Sequence, residues 1–154
     1  MEVRFQNCKP MRVAYVRHVG PYQECGTAWQ TLMAQAGKLG LIRPGVLHIG
    51  VGHDSPDVTP ASELRYDACI TVDDQFQPSG ELSAQELAGG EYAVVTHRGS
   101  YAGLPDTYRW IMRDWIPSSG RKVRHVPIFE IYMNDPMSTP EADLVTEIHV
   151  PLES

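Results

Sequence analysis

The stretch His18-Val19-Gly20-Pro21-Tyr22 is the strongest indication of the fold, because a version of it returns later as His97-Arg98-Gly99-Ser100-Tyr101. Histidine, glycine and tyrosine keep their places, so a single offset, that from His18 to His97, relates the two stretches. Further matches continue at that offset or at one residue more, as between Asp67 and Glu147. An offset that drifts by about one residue over such a distance indicates an internal repeat.

The two halves, approximately 2–75 and 81–152, predict the same order of elements within a single domain spanning residues 1–154. Each reads as strand, helix, strand, strand, from β-branched runs, apolar residues at helical spacing and Gly-Pro turns. We expect Pro117 to end the second helix. The predicted fold class is α+β: tandem pseudo-twofold βαββ repeats forming an antiparallel sheet, with two main helices on one face and a central ligand groove where the halves meet.

The first half is assigned strands at 12–16, 46–51 and 66–72 and a helix from Trp29 to Leu39. The second half is assigned strands at 91–97, 126–133 and 145–151, with its helix between Pro105 and Pro117. Residues 2–6 extend or precede the first strand, and a short strand is expected near 82–87.

Composition restricts the classes of partner. The formal net charge of −6 argues against a nucleic-acid-binding face, which usually carries a basic stripe. Three cysteines at irregular spacing suggest reduced thiols, and no apolar run approaches the length of a membrane helix. We therefore expect a cytoplasmic protein that binds neither nucleic acid directly nor a membrane.

Glu130 is the residue that most strongly suggests chemistry, because it lies in the middle of the apolar run Pro127-Ile128-Phe129-Glu130-Ile131-Tyr132-Met133. On a strand it shares a face with Ile128 and Tyr132. One interpretation puts Glu130 on a solvated face; the other puts it at the bottom of an apolar, aromatic groove, where a cationic ligand would offset its burial. At the longer of the two offsets Glu130 matches Gly50, which would leave space facing the acid.

Six aromatic residues are candidates for the walls of such a groove. Core packing is the default interpretation for those on helical stripes, and a shared turn role is the default for Tyr101, which matches Tyr22 in the other half. Trp110 does not share the helical spacing of the apolar residues on the second predicted helix. It either caps the groove or lies at the surface. Aromatic rings can hold cations by their negative faces. The six are Trp29, Tyr101, Tyr108, Trp110, Trp115 and Tyr132.

The histidines and the remaining acids suggest no cofactor. The repetition of His18 as His97 indicates turn geometry rather than catalysis. His48, His53, Asp54 and Asp57 form no recognisable metal spacing, so we predict no metal site and no cofactor.

Three stretches together resemble the gyrase-inhibitor-like (GyrI-like) effector-binding domains. They are Arg12 to Tyr22, Phe129 to Pro136 and Thr146 to Leu152, and the resemblance covers nearly the whole chain. Domains of this family also form the ligand-sensing C-terminal part of many AraC-type transcription activators. The chain contains no helix-turn-helix segment, so the resemblance implies a stand-alone protein or the effector domain of a regulator.

The family resemblance implies a tandem βαββ fold that binds amphipathic, often cationic or aromatic, small molecules. Its buried ligand-facing glutamate maps onto Glu130, and the aromatic positions of its second helix map onto Tyr108, Trp110 and Trp115. Some stand-alone members are associated with protection of DNA gyrase. Others are hydrolases that open strained, DNA-alkylating toxins.

Three functions therefore stay open at this point. The first is a sensor or sequestering module for amphipathic cations. The second is a hydrolase in which Glu130 acts as general acid or base, with Tyr132 or Tyr101 as hydrogen-bond donor. The third is a protein that interacts with DNA gyrase or another macromolecule.

Overall fold

A computed structural model describes residues 1–154, and its α+β class agrees with the prediction. The strands are β1 (Glu2–Cys8), β2 (Met11–Val19), β3 (His48–Gly52), β4 (Arg65–Thr71), β5 (Ser83–Leu87), β6 (Gly90–Arg98), β7 (Ile128–Tyr132) and β8 (Val145–Pro151). The helices are α1 (Gly26–Lys38), α2 (Leu104–Trp110) and α3 (Ile116–Ser119), with a π-helical turn, Ile111–Trp115, joining α2 to α3. No helix has the length and apolar character needed to span a membrane.

The chain folds as two compact units, which we name after one carboxylate in each. The Glu130 unit comprises Met1–Lys9 and Gly89–Ser154, and the Asp67 unit comprises Pro10–Ala88. In the Glu130 unit the antiparallel strands run in the order β1-β6-β8-β7. In the Asp67 unit the order is β3-β4-β2-β5, again antiparallel.

The strand that precedes the strand–helix–strand–strand elements of each repeat pairs with the other repeat. β1 pairs with β6, placing Cys8 opposite Gly90, and β5 pairs with β2, placing Leu87 opposite Met11. The sequence predicted a short strand near 82–87 and left open whether residues 2–6 extend or precede the first strand. The pairing partners of β1 and β5 were not predicted, because strand propensity says nothing about which distant strand completes the ladder. The boundaries of the two repeats, and their assignment to a single domain spanning residues 1–154, stay predictions.

In the Asp67 unit, α1 packs on one face of the sheet through residues spaced four apart. Its buried positions are Ala28, Leu32 and Ala36, as expected for one stripe of an amphipathic helix. They meet alternate residues of β4, which include Tyr66 and Ile70. Because side chains alternate along a strand, Asp67 belongs to the opposite face of that sheet.

In the Glu130 unit, the second helix packs in the same way on β6 and β8. Ile111 is fully buried against Val95 from β6 and Ile148 from β8. Ile128 of β7 also packs against this cluster, so the face of β7 that carries Ile128 is the face towards the helix. Glu130, two residues further along the strand, shares it.

The prediction that Pro117 ends the second helix is wrong. The helix continues to Ser119 and ends at Gly120, whose φ of 73° is left-handed. Pro117 is tolerated because it falls in the first turn of α3, immediately after the π-helical turn, where a missing N–H costs little. Gly120 suits the helix end because it adopts positive φ without a Cβ clash.

The π-helical turn accounts for the change of offset between the halves. The 3₁₀ turns Tyr22–Glu24 and Tyr101–Gly103, which lie before the helices, correspond at the same offset as the turn histidines. The left-handed glycines that follow the helices, Gly40 and Gly120, correspond at one residue more. The second helix therefore contains one extra residue, and a π turn is how a helix absorbs a single insertion.

Candidate functional site

Glu130 lies on the helix-facing side of β7 and is half-buried, which disfavours the solvated-face interpretation. Its neighbours in sequence, Phe129 and Ile131, are buried on the opposite face. Phe129 stacks on His149 there, with ring centroids 4.6 Å apart. This alternation fixes the direction in which the carboxylate points.

Two tyrosine hydroxyls hold the carboxylate of Glu130. Tyr108 of α2 donates to Oε2 at 2.6 Å, and Tyr132 of β7 donates to Oε1 at 2.8 Å. Both carboxylate oxygens therefore accept a hydrogen bond from a neutral donor. The sequence placed Tyr108 and Tyr132 in the site, and the structure brings both to Glu130.

Burial raises the pKa of Glu130 above the ordinary value for a glutamate. The hydrogen bonds from Tyr108 and Tyr132, together with the nearby His97, oppose that rise because they favour the charged form. The chain forms no ion pair between Glu130 and any lysine, arginine or histidine. The site is thus a partly desolvated carboxylate with neutral hydrogen-bond donors and no internal cation bonded to it.

Tyr101 extends this aromatic surface. Its ring centroid lies 5.5 Å from that of Tyr132, at an interplanar angle of 59°. Burial and the charge of Glu130 raise the pKa of the Tyr101 hydroxyl, which indicates that it lies within electrostatic reach of the acid. Tyr101 therefore belongs to the same group of side chains as Glu130.

The two tryptophans of the second helix are partly buried against other side chains of the Glu130 unit. Trp110 and Trp115 pack against the core of the Glu130 unit. The ring centroid of Trp115 lies 6.0 Å from that of Phe5 on β1. Their predicted role in ligand binding stays a prediction.

Trp29 and Gly50 belong to the Asp67 unit. Trp29 is a residue of α1. Its indole nitrogen donates to the hydroxyl of Tyr66 at 3.1 Å, and its ring packs against the core of the Asp67 unit. Gly50 is buried in β3, opposite Ala68 of β4. Their contribution to a ligand site also stays a prediction.

The repeated histidines hold the turns, as the sequence indicated. Nε2 of His18 lies 2.9 Å from the carbonyl oxygen of Pro21, and Nε2 of His97 lies 2.9 Å from that of Ser100. The second histidine has an additional partner that sequence reasoning missed. Its Nδ1 lies 2.9 Å from the hydroxyl of Thr107, in the helix.

Sequence reasoning also missed the polar cluster around Asp67. This fully buried carboxylate accepts two hydrogen bonds from Arg17, at 2.8 and 3.1 Å, and one from Gln85 at 2.9 Å. His53, considered above as part of a metal cluster, lies 2.7 Å from it instead. The available signal was an acid within a strand whose next residues, Ala68, Cys69 and Ile70, are all apolar. No three His, Cys, Asp or Glu side chains come together as a metal site.

Comparison with known proteins identifies relatives for almost the entire chain. The family model described as "GyrI-like small molecule binding domain" matches residues 1–153. A probable transcriptional regulator, YgiV of Escherichia coli K12, is 36% identical over 104 residues, which is 67% of this chain. A DNA gyrase inhibitor of Escherichia fergusonii is 36% identical over 92 residues, or 56% of this chain. The alignments span 65% and 58% of those two relatives' own lengths.

Solved structures share the fold at low sequence identity. The C-terminal domain of EcmrR has a TM-score of 0.77 at 19% identity, with 99% of this chain and 98% of that domain covered. SAV2435, solved bound to tetraphenylphosphonium, has a TM-score of 0.69 at 18% identity, with 100% of this chain and 95% of that protein covered. At these identities the likeness shows the fold alone.

Proposed function

The chain belongs to the GyrI-like small-molecule binding domain family, and we propose that it binds amphipathic organic cations at Glu130. The observation that carries the proposal is the half-buried carboxylate of Glu130, held by the hydroxyls of Tyr108 and Tyr132. Hydroxyl donors stabilise and orient the charge without neutralising it. A bound cation would supply the missing positive charge.

Electrostatics favour a cation over an anion or a neutral ligand. Removing a carboxylate from water costs several kcal/mol unless an opposite charge compensates it. No side chain of this protein forms an ion pair with Glu130, so the compensation is left for a ligand. The overall charge of −6 also favours the approach of a cation.

The aromatic side chains near the acid favour a ligand with large apolar groups. Tyr101, Tyr108 and Tyr132 provide rings around the carboxylate, and a ring face can add about 0.5–2 kcal/mol when it meets a cation. SAV2435, which shares the fold, was solved with tetraphenylphosphonium, a cation of this kind. A delocalised charge with aromatic substituents is therefore the ligand class that we propose.

The biological role that we propose is that of a ligand sensor. Names of relatives include transcriptional regulators, and the EcmrR domain of the same fold is the C-terminal part of its protein. This chain would act either alone, by sensing or sequestering the cation, or as the effector domain of a regulator.

Calorimetric titration with tetraphenylphosphonium tests the binding proposal. We expect the wild-type chain to bind and Glu130→Gln to lose about 100-fold in affinity, the scale for removing one partner of a buried charge pair. Glu141→Gln, which removes one exposed carboxylate, is the matched control for net charge and should bind as wild type. Equal affinity in Glu130→Gln and Glu141→Gln would contradict the proposal.

Hydrolysis is the second candidate, because burial raises the pKa of Glu130 in the direction that suits a general acid. Mass spectrometry after prolonged incubation with a strained electrophile, such as an activated cyclopropane, separates the two functions. Product that disappears in Glu130→Gln would favour the hydrolase, and unchanged electrophile would favour the binding module.

A third candidate is interaction with DNA gyrase, favoured by the names of several relatives. A pull-down with purified gyrase at low salt checks it. Capture that is independent of Glu130 would place this function on another surface.

A further inference from the structure

Residues around Glu130 differ between the two repeats in a consistent way. Corresponding positions in the Asp67 unit hold residues that cannot form the same hydrogen bonds, while the turn histidine is kept in both. The four differing pairs, with the second-repeat residue first, are Thr107 and Ala28, Tyr108 and Trp29, Glu130 and Gly50, and Tyr132 and Gly52. Three of the four second-repeat residues form the carboxylate site, and the fourth is Thr107.

Thr107 is buried and bonded to His97. The Thr107 hydroxyl lies 2.9 Å from Nδ1 of the imidazole, and only 5% of the residue is exposed. Nε2 of the same ring faces the carbonyl oxygen of Ser100, which can only accept, so Nε2 carries a hydrogen. Nδ1 shares a hydrogen bond with the Thr107 hydroxyl, which can both donate and accept, so both ring nitrogens are engaged.

Gly103 leaves room for the His97 ring beside the turn. A Cβ at Gly103 would lie 3.1 Å from Cε1 of His97, closer than an ordinary contact, so a side chain there would press on the ring. In the Asp67 unit His18 forms the same bond to its turn, but Ala28 stands in the place of Thr107 and offers no hydroxyl. The link from the turn histidine to the helix through a threonine hydroxyl is therefore specific to the Glu130 unit.

We propose that Thr107, through its hydrogen bond with His97, is a positioning residue that holds Tyr108 in place to donate to Glu130. Thr107 immediately precedes Tyr108 in the first turns of α2, and His97 is on β6, which belongs to the sheet beneath. Anchoring Thr107 to β6 fixes the rotation of α2 about its axis. That rotation sets the distance between the Tyr108 hydroxyl and the carboxylate.

The groups that face Glu130 come from four parts of the unit: Tyr108 on α2, Tyr132 on β7 itself, His97 on β6 and Tyr101 in the turn before α2. Of these, Tyr108 is the one whose position depends on Thr107 through the adjacent peptide bond. Weakening its hydrogen bond disfavours the charged carboxylate. The inference deepens the proposed function, and it depends on that function only for the ligand measurement.

The test compares Thr107→Val, which keeps the shape and removes the hydroxyl, with Thr107→Ser, which keeps the hydroxyl. NMR titration of ¹³C-labelled glutamate follows the Glu130 carboxyl without any ligand, with Glu147 as an internal reference. We expect Thr107→Val to raise the proton affinity of Glu130 about twofold and to weaken tetraphenylphosphonium binding about threefold, which is less than the complete loss of one hydrogen bond would cause. Thr107→Ser should match wild type in both measurements.

Ala28→Thr, at the corresponding position of the Asp67 unit, is the matched control and should leave the Glu130 titration unchanged. A Thr107→Val protein with a wild-type Glu130 titration overturns the inference. So does a Thr107→Ser protein as impaired as Thr107→Val, because packing by the methyl group would then be the cause. If wild type binds no tetraphenylphosphonium, the ligand proposal fails for this probe and the NMR titration still decides the role of Thr107.

Discussion

Asp67 and Glu130 are both carboxylates within a β-sheet, one in each unit, but their partners differ in charge. Asp67 bonds to Arg17 and His53 as well as to Gln85. Glu130 bonds only to the hydroxyls of two tyrosines. Burial acts on both, yet the pKa of Asp67 is lowered to about 2 by these hydrogen bonds, while that of Glu130 is raised.

The difference is that the charge of Asp67 is compensated by side chains of the protein, whereas that of Glu130 has no bonded cation. The Asp67 carboxylate is compensated internally by side chains from β2, the end of β3 and β5, so it ties the strands of its unit together. The Glu130 carboxylate lacks a bonded cation, and compensation from outside would convert its desolvation into ligand affinity. Substitutions at the two carboxylates and their partners, and changes of pH, should therefore have different effects in the two units.

The largest expected effect on stability is that of Asp67→Asn. It removes a buried charge from Arg17 and His53 and should lower the free energy of unfolding by about 2–3 kcal/mol. Arg17 is partly exposed, which keeps the loss at the lower end of the range for buried pairs. Denaturant unfolding measures it, and the exposed Asp57→Asn is the control. A loss no greater than that of Asp57→Asn would refute the structural role of Asp67.

Glu130→Gln should act in the opposite direction on stability. Because the folded protein binds a proton at Glu130 more tightly than the unfolded chain, the charged group costs stability at neutral pH. The substitution should therefore leave the free energy of unfolding unchanged or raise it by up to about 1 kcal/mol. The same denaturant experiment checks this, and a clear destabilisation would place Glu130 among the residues that maintain the fold.

Lowering the pH should change the contributions of the two carboxylates to the free energy of unfolding in opposite directions. The contribution of Asp67 is fully present above about pH 4 and is lost as pH falls towards about 2, because its folded pKa is depressed. The cost of Glu130 is present above its raised folded pKa and disappears as pH falls through that pKa towards the ordinary glutamate range. Unfolding of wild type, Asp67→Asn and Glu130→Gln across this range tests both signs, and parallel pH curves for the two variants would contradict them.

Tyr108→Phe should give the smallest of these effects. It removes one of the two hydroxyl donors, so tetraphenylphosphonium affinity should fall about fivefold at neutral pH, the scale of the net contribution of one hydrogen bond. The loss should grow as pH falls, because the pKa of Glu130 rises further without that donor. Tyr15→Phe, on β2 of the Asp67 unit, is the control, and an equal loss in both variants would remove Tyr108 from the site.

The internal repeat made the two turns and the position of Glu130 predictable from the sequence. Matching His18 with His97 placed both turns, and matching Glu130 with Gly50 showed where the halves differ. The alternation of β7 predicted that Ile128, Glu130 and Tyr132 share a face, which is confirmed. These inferences succeeded because they rest on local periodicity, which the chain expresses without reference to distant partners.

The features that sequence reasoning missed depend on contacts between distant residues. Nothing local links Asp67 to Arg17, which is 50 positions away, or indicates that β1 pairs with β6. The helix beyond Pro117 was missed because a π-helical turn restarts the helix before the proline. The available signal for this extra residue was the one-residue change of offset between the repeats. Its position within the second helix became clear only from the left-handed glycines that end the two helices, Gly40 and Gly120.

An NMR titration of ¹³C-labelled aspartate and glutamate carboxyls, with and without tetraphenylphosphonium, compares the two carboxylates in a single experiment. We expect Asp67 to titrate near pH 2, Glu130 to titrate above the ordinary glutamate range, and the cation to lower the pKa of Glu130 alone. If Glu130 titrates at or below its ordinary value, or does not respond to the cation, the proposed cation site at Glu130 is wrong.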